Sequence, residues 1–492
     1  MTVSNTFASL DRLLDEGREK SWLEFKHNAI EPAEIGKYIS ALANASLLEG
    51  MDKAFLVFGI EDETLRKVGT DFNPAKSKKG NDALENWLTH KLDPPVRAIF
   101  NAFSCEDRNF VIVEIEPSYF KPVKFEGNAY VRIGTHTKKL MDFPELERSL
   151  WLATGKRRFE NAIALANAGK TQVLDLLDWK AYYAFLKLPQ PENPDEVIRT
   201  FIQQKYITDE FDGSFAITNL GALLWAEDLN IFQSVSRKTV RITRYFGTDA
   251  QNSGKTSEGL RGYALDFEDL VKFICQQTPQ REKIVSAIRR TIPIIPEISI
   301  REVLANALIH QDLSAAGSGP LVEIYENRIE VSNPGTPLGD VDRIIDEAPR
   351  SRNELLARSM RVLGLCEELG KGIDKAIMAI EIVAAEDRLF LAPPIFRKTE
   401  NGFTVILFGH KTFKALSREE RLRTCYQHCV LTYLRNDFMN NSSLRERFSL
   451  QKDEYQSVSA VIAEAIAAGL VVPADEEQGR KHARYIPSWA KQ

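Results

Sequence analysis

The order of hydrophobic and polar positions predicts a chain of mixed strands and helices. Ser21–Lys26 alternates with a period of two, as a half-buried strand does, and Ala54–Ile60 is a short apolar run that ends in two acidic residues. Further strands are predicted at Phe110–Ile115 and Ala129–Ile133, and a helix at Ala33–Ser46. The fold class we predict is α/β (α+β) with several domains.

Beyond residue 140 the pattern changes twice more. Residues 141–200 look mainly helical, with a proline-rich break at Leu188–Pro194, and a second mixture of strands and helices runs from Phe201 to Gly409. In the tail, helices at Ser443–Ser449 and Glu454–Ala468 precede two short strands separated by a charged turn. That order predicts a winged helix-turn-helix.

Length and composition limit the class of protein. At 492 residues the chain exceeds one ordinary core, and its 43% hydrophobic and 27% charged residues are typical of globular domains. The net charge of −5 means that any nucleic acid must bind at local patches. Met1–Leu10 lacks the pattern of a signal peptide, no apolar run approaches the ~20 residues that span a bilayer, and the five scattered cysteines suit reduced thiols. We therefore expect a cytoplasmic protein without a membrane segment.

Acidic residues near the first two strands are candidates for a metal site. Glu19 precedes the first strand, Glu24 lies within it, and Asp62 follows the second, so pairing of the two strands would bring the carboxylates together. Oxygen ligands suit Mg²⁺ or Mn²⁺, and Lys26 lies on the same face as Glu24, where it would contact a scissile phosphate. The alternative is that these are solvated surface carboxylates.

The segment Ser299–Asp312 predicts a helix with a polar stripe. Glu302, Asn306 and His310 recur every fourth residue, while the remaining faces are apolar. Burying such a stripe is costly without a ligand, and a carboxylate one turn from a carboxamide suits an Mg²⁺ beside a triphosphate. The alternative is an amphipathic helix whose polar face meets solvent.

Glycines downstream of this helix suit a phosphate site. Two predicted strands, Leu321–Tyr325 and Arg328–Asn333, are followed much later by Gly370 and Gly372, a turn that opens a helix. By contrast, Ser253–Thr256 only mimics the end of a P-loop, since the required earlier glycine is absent, and we expect a polar loop there.

The tail has a mild basic excess. Residues 411–492 hold 13 Lys or Arg and 10 Asp or Glu. Arg480, Lys481 and Arg484 lie on the predicted wing, where phosphate contacts are often made. A winged helix that binds protein rather than nucleic acid is an equal alternative.

The first 140 residues resemble the AlbA_2, or Schlafen-type, domain. The resemblance rests on four segments in order: Glu19–Lys26, Ala41–Asn44, Phe55–Asp62 and Tyr130–Gly134. It implies, for the nuclease branch of that family, that Glu19, Glu24 and Asp62 form a metal-dependent RNA-cleaving site. Other relatives are described only as DNA-binding, and Leu47–Gly50 departs from the Gly-Gly that commonly follows the asparagine.

The central segment resembles the GHKL, or Bergerat-fold, ATPase domain, closely over 293–380. The resemblance implies Glu302 as catalytic base, Asn306 as Mg²⁺ ligand, His310 within the nucleotide site, and Gly370 and Gly372 in the phosphate lid. At the adenine box the family usually has Asp-x-Gly, whereas this chain has Asn333-Pro334-Gly335. Asparagine can donate and accept and so suits adenine contact, with a changed nucleotide or poor turnover as an equal alternative. We therefore expect nucleotide binding more than fast hydrolysis.

Together these patterns predict four regions: an AlbA_2/Schlafen-like nucleic-acid domain at 1–140, a helical connector at 141–200, a GHKL-type ATP-binding region at 201–410 and a winged helix at 411–492. The first hypothesis is a homo-oligomeric metal-dependent nuclease, acting on RNA or DNA, gated by ATP and suited to stress response or antiphage defence. The alternative is an ATP-binding transcriptional regulator that binds DNA without cutting it. A third keeps an active, weak ATPase and gives both termini to protein partners.

Overall fold

The computed structural model describes residues 10–51, 53–62, 64–119, 121–154, 159–210, 213–251, 253–285, 288–345, 350–367, 372–475, 479 and 483–491. The chain divides into two compact units, the first comprising 1–158 with 209–215 and the second 159–208 with 216–492. The α/β (α+β) class with several domains is confirmed. The predicted boundaries near 140, 200 and 410 stay predictions.

The first unit is built on two small sheets. Its helices are α1 (Pro32–Glu49), α2 (Leu84–Lys91) and α3 (Pro144–Ala153), and residues 10–15 are also helical. Its strands are β1 (Leu23–Lys26), β2 (Ala54–Phe58), β3 (Lys78–Lys79), β4 (Asp82–Ala83), β5 (Leu92–Asp93), β6 (Ala98–Cys105), β7 (Arg108–Ile115), β8 (Lys124–Phe125), β9 (Asn128–Ile133) and β10 (His136–Lys139). The sheets have the orders β1-β2-β7-β6 and β10-β9-β8-β5, with β3 and β4 as a separate pair.

The pairing of the first two strands is the one the sequence indicated. β1 and β2 run parallel, with Glu24 opposite Leu56 and Lys26 opposite Phe58. The sheet is buried on both faces: Leu56 and Phe58 belong to the core under α1, whereas Phe55 and Val57 belong to a second core on the other side. Glu24 therefore points toward α1, where charge is costly to bury without a partner.

Helix α1 carries the second sheet of this unit. Pro32 stands at its first turn and Gly50 ends it in the left-handed conformation. The Asn44 amide donates to the carbonyl oxygens of Val123 (2.9 Å) and Tyr130 (2.8 Å) and accepts from the Val123 N–H (2.8 Å). At Gly36 an added Cβ would overlap the Phe125 ring, so glycine permits this close approach. These contacts fix the second sheet, including β9, against α1.

The second unit contains the remaining elements. Its helices are α4 (Lys170–Leu176), α5 (Trp179–Phe185), α6 (Pro194–Gln203), α7 (Asn219–Trp225), α8 (Tyr263–Gln277), α9 (Glu297–His310), α10 (Glu354–Val362), α11 (Gly372–Asp387), α12 (Arg418–Leu434), α13 (Asn441–Arg447) and α14 (Tyr455–Ala467). The strands are β11 (Ile163–Ala168), β12 (Ile207–Asp209), β13 (Phe215–Thr218), β14 (Val240–Tyr245), β15 (Ser253–Gly259), β16 (Gln280–Val285), β17 (Ile288–Pro293), β18 (Leu321–Ile324), β19 (Arg328–Pro334), β20 (Ile395–Lys398), β21 (Gly402–Phe408), β22 (Val471–Pro473) and β23 (Tyr485–Pro487).

A six-stranded mixed sheet supports the central helices. Its order is β15-β14-β18-β19-β21-β20, in which only the β14–β18 pair, among the strands described, is parallel. The apolar faces of α9 are buried, as the sequence predicts, including Val303, Leu304 and Leu308. The Ser299 hydroxyl donates to the Ala376 carbonyl oxygen (2.7 Å) and so ties α9 to α11. Downstream, α12, α13 and α14 share one core with β22, which pairs antiparallel with β23.

Two segments differ from the sequence expectation. Ser253–Thr256, expected as a polar loop, belongs to edge strand β15, which pairs antiparallel with β14. As an edge strand, β15 forms backbone hydrogen bonds with one neighbour only. Its polar side chains Lys255, Thr256 and Glu258 remain exposed, as they would in a loop. The region expected to be mainly helical contains the strand Ile163–Ala168. No helix in the described part of the chain has the length and apolarity needed to cross a membrane.

Candidate functional site

Three acidic residues singled out in the sequence converge on one lysine. Lys26 Nζ lies 2.6 Å from Glu24 Oε1, 3.4 Å from Asp62 Oδ2 and 3.9 Å from Glu19 Oε1. The Glu24 side chain is 2% exposed, whereas that of Asp62 is 52% exposed at the end of β2. The parallel pairing of β1 and β2 therefore creates a cluster that runs from the protein interior to the surface.

Arg132, on β9, adds a second cation to this cluster at its buried end. Its side chain is fully buried, and its Nη2 contacts Glu24 Oε2 and lies 3.4 Å from Glu19 Oε2. Nε and Nη1 find no acceptor among the described residues, so attraction to the carboxylates is what compensates the buried guanidinium. Arg132 is not among the candidates from the sequence, where its one signal is a charged residue within the apolar strand Ala129–Ile133.

Burial and mutual repulsion control protonation in the cluster. Burial, and then the neighbouring Glu24, raise the pKa of Glu19 to about 7, although the Phe25 N–H and Lys26 act in the opposite sense. Burial is the largest single effect on Lys26 and opposes its charge, but the hydrogen bond with Glu24 and the attraction of Glu24, Tyr38 and Asp62 together outweigh burial and raise the pKa of the ammonium. Glu19 therefore changes charge near neutral pH while Lys26 stays charged.

The cluster as arranged does not fit a divalent metal. Both oxygens of Glu24 face cations, and Glu19 Oε1 accepts a hydrogen bond from the Phe25 backbone N–H at 3.1 Å. The Lys26 ammonium lies between the carboxylates, where a metal would have to bind. Across the described ranges, no group of three or more His, Cys, Asp or Glu side chains is placed to hold a metal ion.

A second group of candidate residues meets where α9 and α11 touch. Glu302 is 6% exposed and Asn306, one turn later, is half-buried. Gly372 begins α11, and a Cβ added there would lie 2.5 Å from Glu302 Oε2 and 3.7 Å from Asn306 Nδ2. The structure thus brings Glu302, Asn306 and Gly372 together; Gly370 lies outside the described residues.

Charged neighbours modify Glu302. Burial, and then the nearby Glu367, raise the pKa of this carboxyl, while Lys375 and Arg301 act to lower it. Lys375 lies on the first turns of α11 and also pairs with Glu367. The start of α11 therefore brings together helix backbone N–H groups, Gly372 and the buried Glu302 carboxylate.

The other candidates lie around the opposite end of α9. His310 is eight residues, or ~12 Å of helix, from Glu302. Burial and the Arg352 charge lower its pKa. At Gly335 φ is +95°, and an added Cβ would overlap Arg352 and approach the Asp312 backbone N at 2.9 Å. Asn333 is buried in β19 and donates to the Pro334 carbonyl oxygen (3.1 Å). His310 and Gly335 thus share Arg352 as a neighbour at the end of α9 away from Glu302, and Asn333 lies two residues before Gly335.

A buried ion-pair cluster, not found from the sequence, connects α11 to the C-terminal helices. Glu381 accepts hydrogen bonds from Nδ1 of His428 (3.1 Å) on α12 and Nε of Arg447 (3.2 Å) on α13. The partners lower the pKa of Glu381 despite its burial. Of the wing candidates, Arg484 stacks on Phe438 at 5.5 Å, while Arg480 and Lys481 lie outside the described residues.

Two segments of the chain match known families. Residues 19–142 match the family described as Schlafen, AlbA_2, and residues 317–407 match the one described as Putative ATP-dependent DNA helicase recG C-terminal. The second match includes Asn333, Gly335 and Gly372 but begins after Glu302 and Asn306. No curated protein matches the chain.

Solved structures give weaker similarities. A crystal structure of a Corynebacterium diphtheriae protein is 15% identical, with 98% of this chain and 97% of that chain covered and a TM-score of 0.40. The N-terminal domain of a putative ATP-dependent DNA helicase RecG-related protein from Nitrosomonas europaea, solved by NMR, is 20% identical over 27% of this chain and 91% of that one, with a TM-score of 0.19. The family matches carry more: the chain contains a Schlafen AlbA_2 domain and a RecG-type, ATPase-like domain.

Proposed function

We propose that this protein binds nucleic acid under the control of a bound nucleotide, with ATP held between α9 and α11. The observation that carries the proposal is the position of Gly372: without a side chain there, the start of α11 lies directly against the Glu302 carboxylate with Asn306 beside it, and an added Cβ would lie 2.5 Å from Glu302 Oε2. A glycine at a helix start, next to a buried carboxylate and an amide, suits a triphosphate with its Mg²⁺.

In this proposal each residue has a distinct task. Backbone N–H groups at the start of α11 bind the phosphates, and the Asn306 amide oxygen holds the Mg²⁺ that accompanies ATP. Glu302 orients water at the phosphate end, and Asn333 contacts the adenine in place of the aspartate of GHKL enzymes. Bound Mg²⁺–ATP would place the charges of the triphosphate and the metal ion at the start of α11.

The helix α11 also supplies a route from nucleotide to nucleic acid. Gly372 lies at its first residue and Glu381 lies two to three turns later, paired with α12 and α13. We assign α12–α14 with β22 and β23 to a winged helix, whose wing includes Arg484. A shift of α11 on ATP binding would change the position of these helices because the buried Glu381 pairs resist separation.

The test is nucleic-acid affinity with and without nucleotide. Fluorescence anisotropy of labelled duplex DNA and single-stranded RNA would be measured for the wild type, Asn306→Ala and Gly169→Ala, with Mg²⁺ and either ATP or none. Gly169 is a fitting control because nothing lies within 4 Å of an added Cβ. Support would be an ATP-dependent change in affinity for wild type and Gly169→Ala that Asn306→Ala lacks. Affinity unaffected by ATP in all three would contradict the proposal.

Metal-dependent nuclease activity is the second candidate. It is favoured by the convergence of Glu19, Glu24 and Asp62 within 4 Å of a single Nζ atom. It also requires Lys26 to leave that position, because the present arrangement excludes a metal. RNA and DNA would be incubated with Mn²⁺ or Mg²⁺ and wild type, Glu24→Gln or the exposed control Glu85→Gln. Cleavage lost only in Glu24→Gln would establish this candidate, and absence of cleavage in all samples would remove it.

A further inference from the structure

Strand β6 has a long free edge. It is the outermost strand of the order β1-β2-β7-β6, and no other described strand pairs with its outer side. It runs for eight residues in continuous register with β7, from Ala98 opposite Ile115 to Cys105 opposite Arg108. A free edge of this length offers a row of backbone donors and acceptors.

The hairpin turn determines which groups are free. Glu106 and Asp107, both with positive φ, form a two-residue turn, so Cys105 and Arg108 exchange hydrogen bonds directly beside it. Along β6, residues whose backbone groups bond to β7 therefore alternate with residues whose backbone groups do not. The backbone groups of the other four residues point away from β7, namely those of Ala98, Phe100, Ala102 and Ser104.

The composition of β6 does not protect this edge. Its sequence, AIFNAFSC, has no charged residue and no proline, and its register has no bulge. Natural edge strands usually carry one of these features to prevent pairing with another chain. Every residue of β6 is nevertheless partly or fully accessible to solvent.

We propose that β6 is a dimer interface, pairing antiparallel with β6 of a second copy of this chain about a two-fold axis at Asn101. The four free residues are symmetric about Asn101: Phe100 would pair with Ala102 of the second copy, and Ala98 with Ser104. On the other face, Ile99 would lie opposite Phe103 of the second copy, an aliphatic–aromatic contact that stabilises antiparallel pairs. Because the strand is uncharged, the two-fold axis brings no like charges together. One sheet then runs through both copies.

Cysteine cross-linking of the full chain tests both the partner and the register. At the axis the two Asn101 residues form a non-hydrogen-bonded pair with a Cα separation of about 4.5 Å, within the disulfide range of ~4.4–6.8 Å. The two Phe103 residues would each lie two positions from the axis on opposite sides, and so four positions, about 14 Å, apart along the strand. In a Cys105→Ser background we expect Asn101→Cys to form a disulfide-linked dimer under mild oxidation and Phe103→Cys to remain unlinked.

Light scattering provides the second readout. Wild type should be dimeric, and Ala102→Pro should be monomeric, because proline removes an outward N–H while leaving the bonds to β7 intact. Ala102→Ser should remain dimeric, and circular dichroism should be the same for all three. A wild type that stays monomeric at every concentration overturns the proposal. So does a dimer in which Phe103→Cys links as fast as Asn101→Cys, or one that Ala102→Pro leaves unchanged.

Discussion

Replacing Glu19 by glutamine should change how stability depends on pH. Glu19 is nearly buried beside Glu24, and its pKa is raised from 4.5 to about 7, first by burial and then by Glu24. Between these values the unfolded chain has lost the Glu19 proton while the folded chain retains it. Folding stability from this group is therefore fully present below pH 4.5 and is lost as pH rises toward 7.

The size of the effect follows from the shift. A pKa change of that size corresponds to roughly 3 kcal/mol, since each unit is ~1.4 kcal/mol. Glutamine resembles the protonated carboxyl and keeps an oxygen for the Phe25 N–H, which Glu19 accepts at 3.1 Å. Relative to wild type, Glu19→Gln should thus gain roughly 3 kcal/mol in free energy of unfolding between pH 4.5 and pH 8.

Urea unfolding of the full chain at several pH values would measure that difference. The transition of the first unit would be followed through Trp22, which packs in both cores of that unit. Glu85→Gln, at an exposed position of α2, is the control and should show no such pH-dependent gain. If the difference between Glu19→Gln and wild type were constant across this range, the electrostatic account of the cluster would be refuted.

Three further changes test the packing of charged and glycine positions. Arg132→Met should lower the free energy of unfolding by ~3–5 kcal/mol, because it leaves Glu24 Oε2 buried without a cation while Lys26 faces only Oε1; denaturant titration measures this. Glu381→Ala should cost a similar ~3–5 kcal/mol, whereas Glu464→Ala, which removes an exposed pair, should cost less than ~1 kcal/mol. Gly221→Ala should lower the melting temperature by several degrees relative to Gly169→Ala, since an added Cβ at Gly221 overlaps a backbone carbonyl and one at Gly169 meets nothing; calorimetry compares them.

The local hydrophobic pattern is sufficient to predict the first two strands, but it does not predict the whole charged cluster around Lys26. The period of two at Ser21–Lys26 and the apolar run after residue 53 identify β1 and β2, and their pairing places Glu24 near Asp62. Arg132 is 113 residues from Glu19, and the hydrogen bonds of Ser40 and Asn44 to the second sheet hold its strand against α1. A single sequence does not reveal such a long-range pairing, so it indicates the three carboxylates but not the buried guanidinium that pairs with two of them.

The central region shows the same limit. The four-residue repeat correctly placed Glu302 and Asn306 on one face of a helix. The same repeat also groups His310 with them, although His310 lies one turn beyond Asn306, past the part of α9 that Gly372 contacts. Position along a helix face does not determine which neighbour covers each turn: α11 contacts α9 at Ser299, Glu302 and Asn306, whereas Arg352 acts on His310 at the end of the helix. The Glu381 pairs join three helices and have no local signature.

Binding of Mg²⁺–ATP to Gly372→Ala tests the central claim most directly. Isothermal titration would compare wild type, Gly372→Ala and Gly169→Ala, with circular dichroism as a check on folding. The account expects wild type and Gly169→Ala to bind equally, and Gly372→Ala to bind at least about ten-fold more weakly, a loss of ~1.4 kcal/mol. Equal affinity for all three proteins, or no binding by the wild type, would contradict a nucleotide site between α9 and α11.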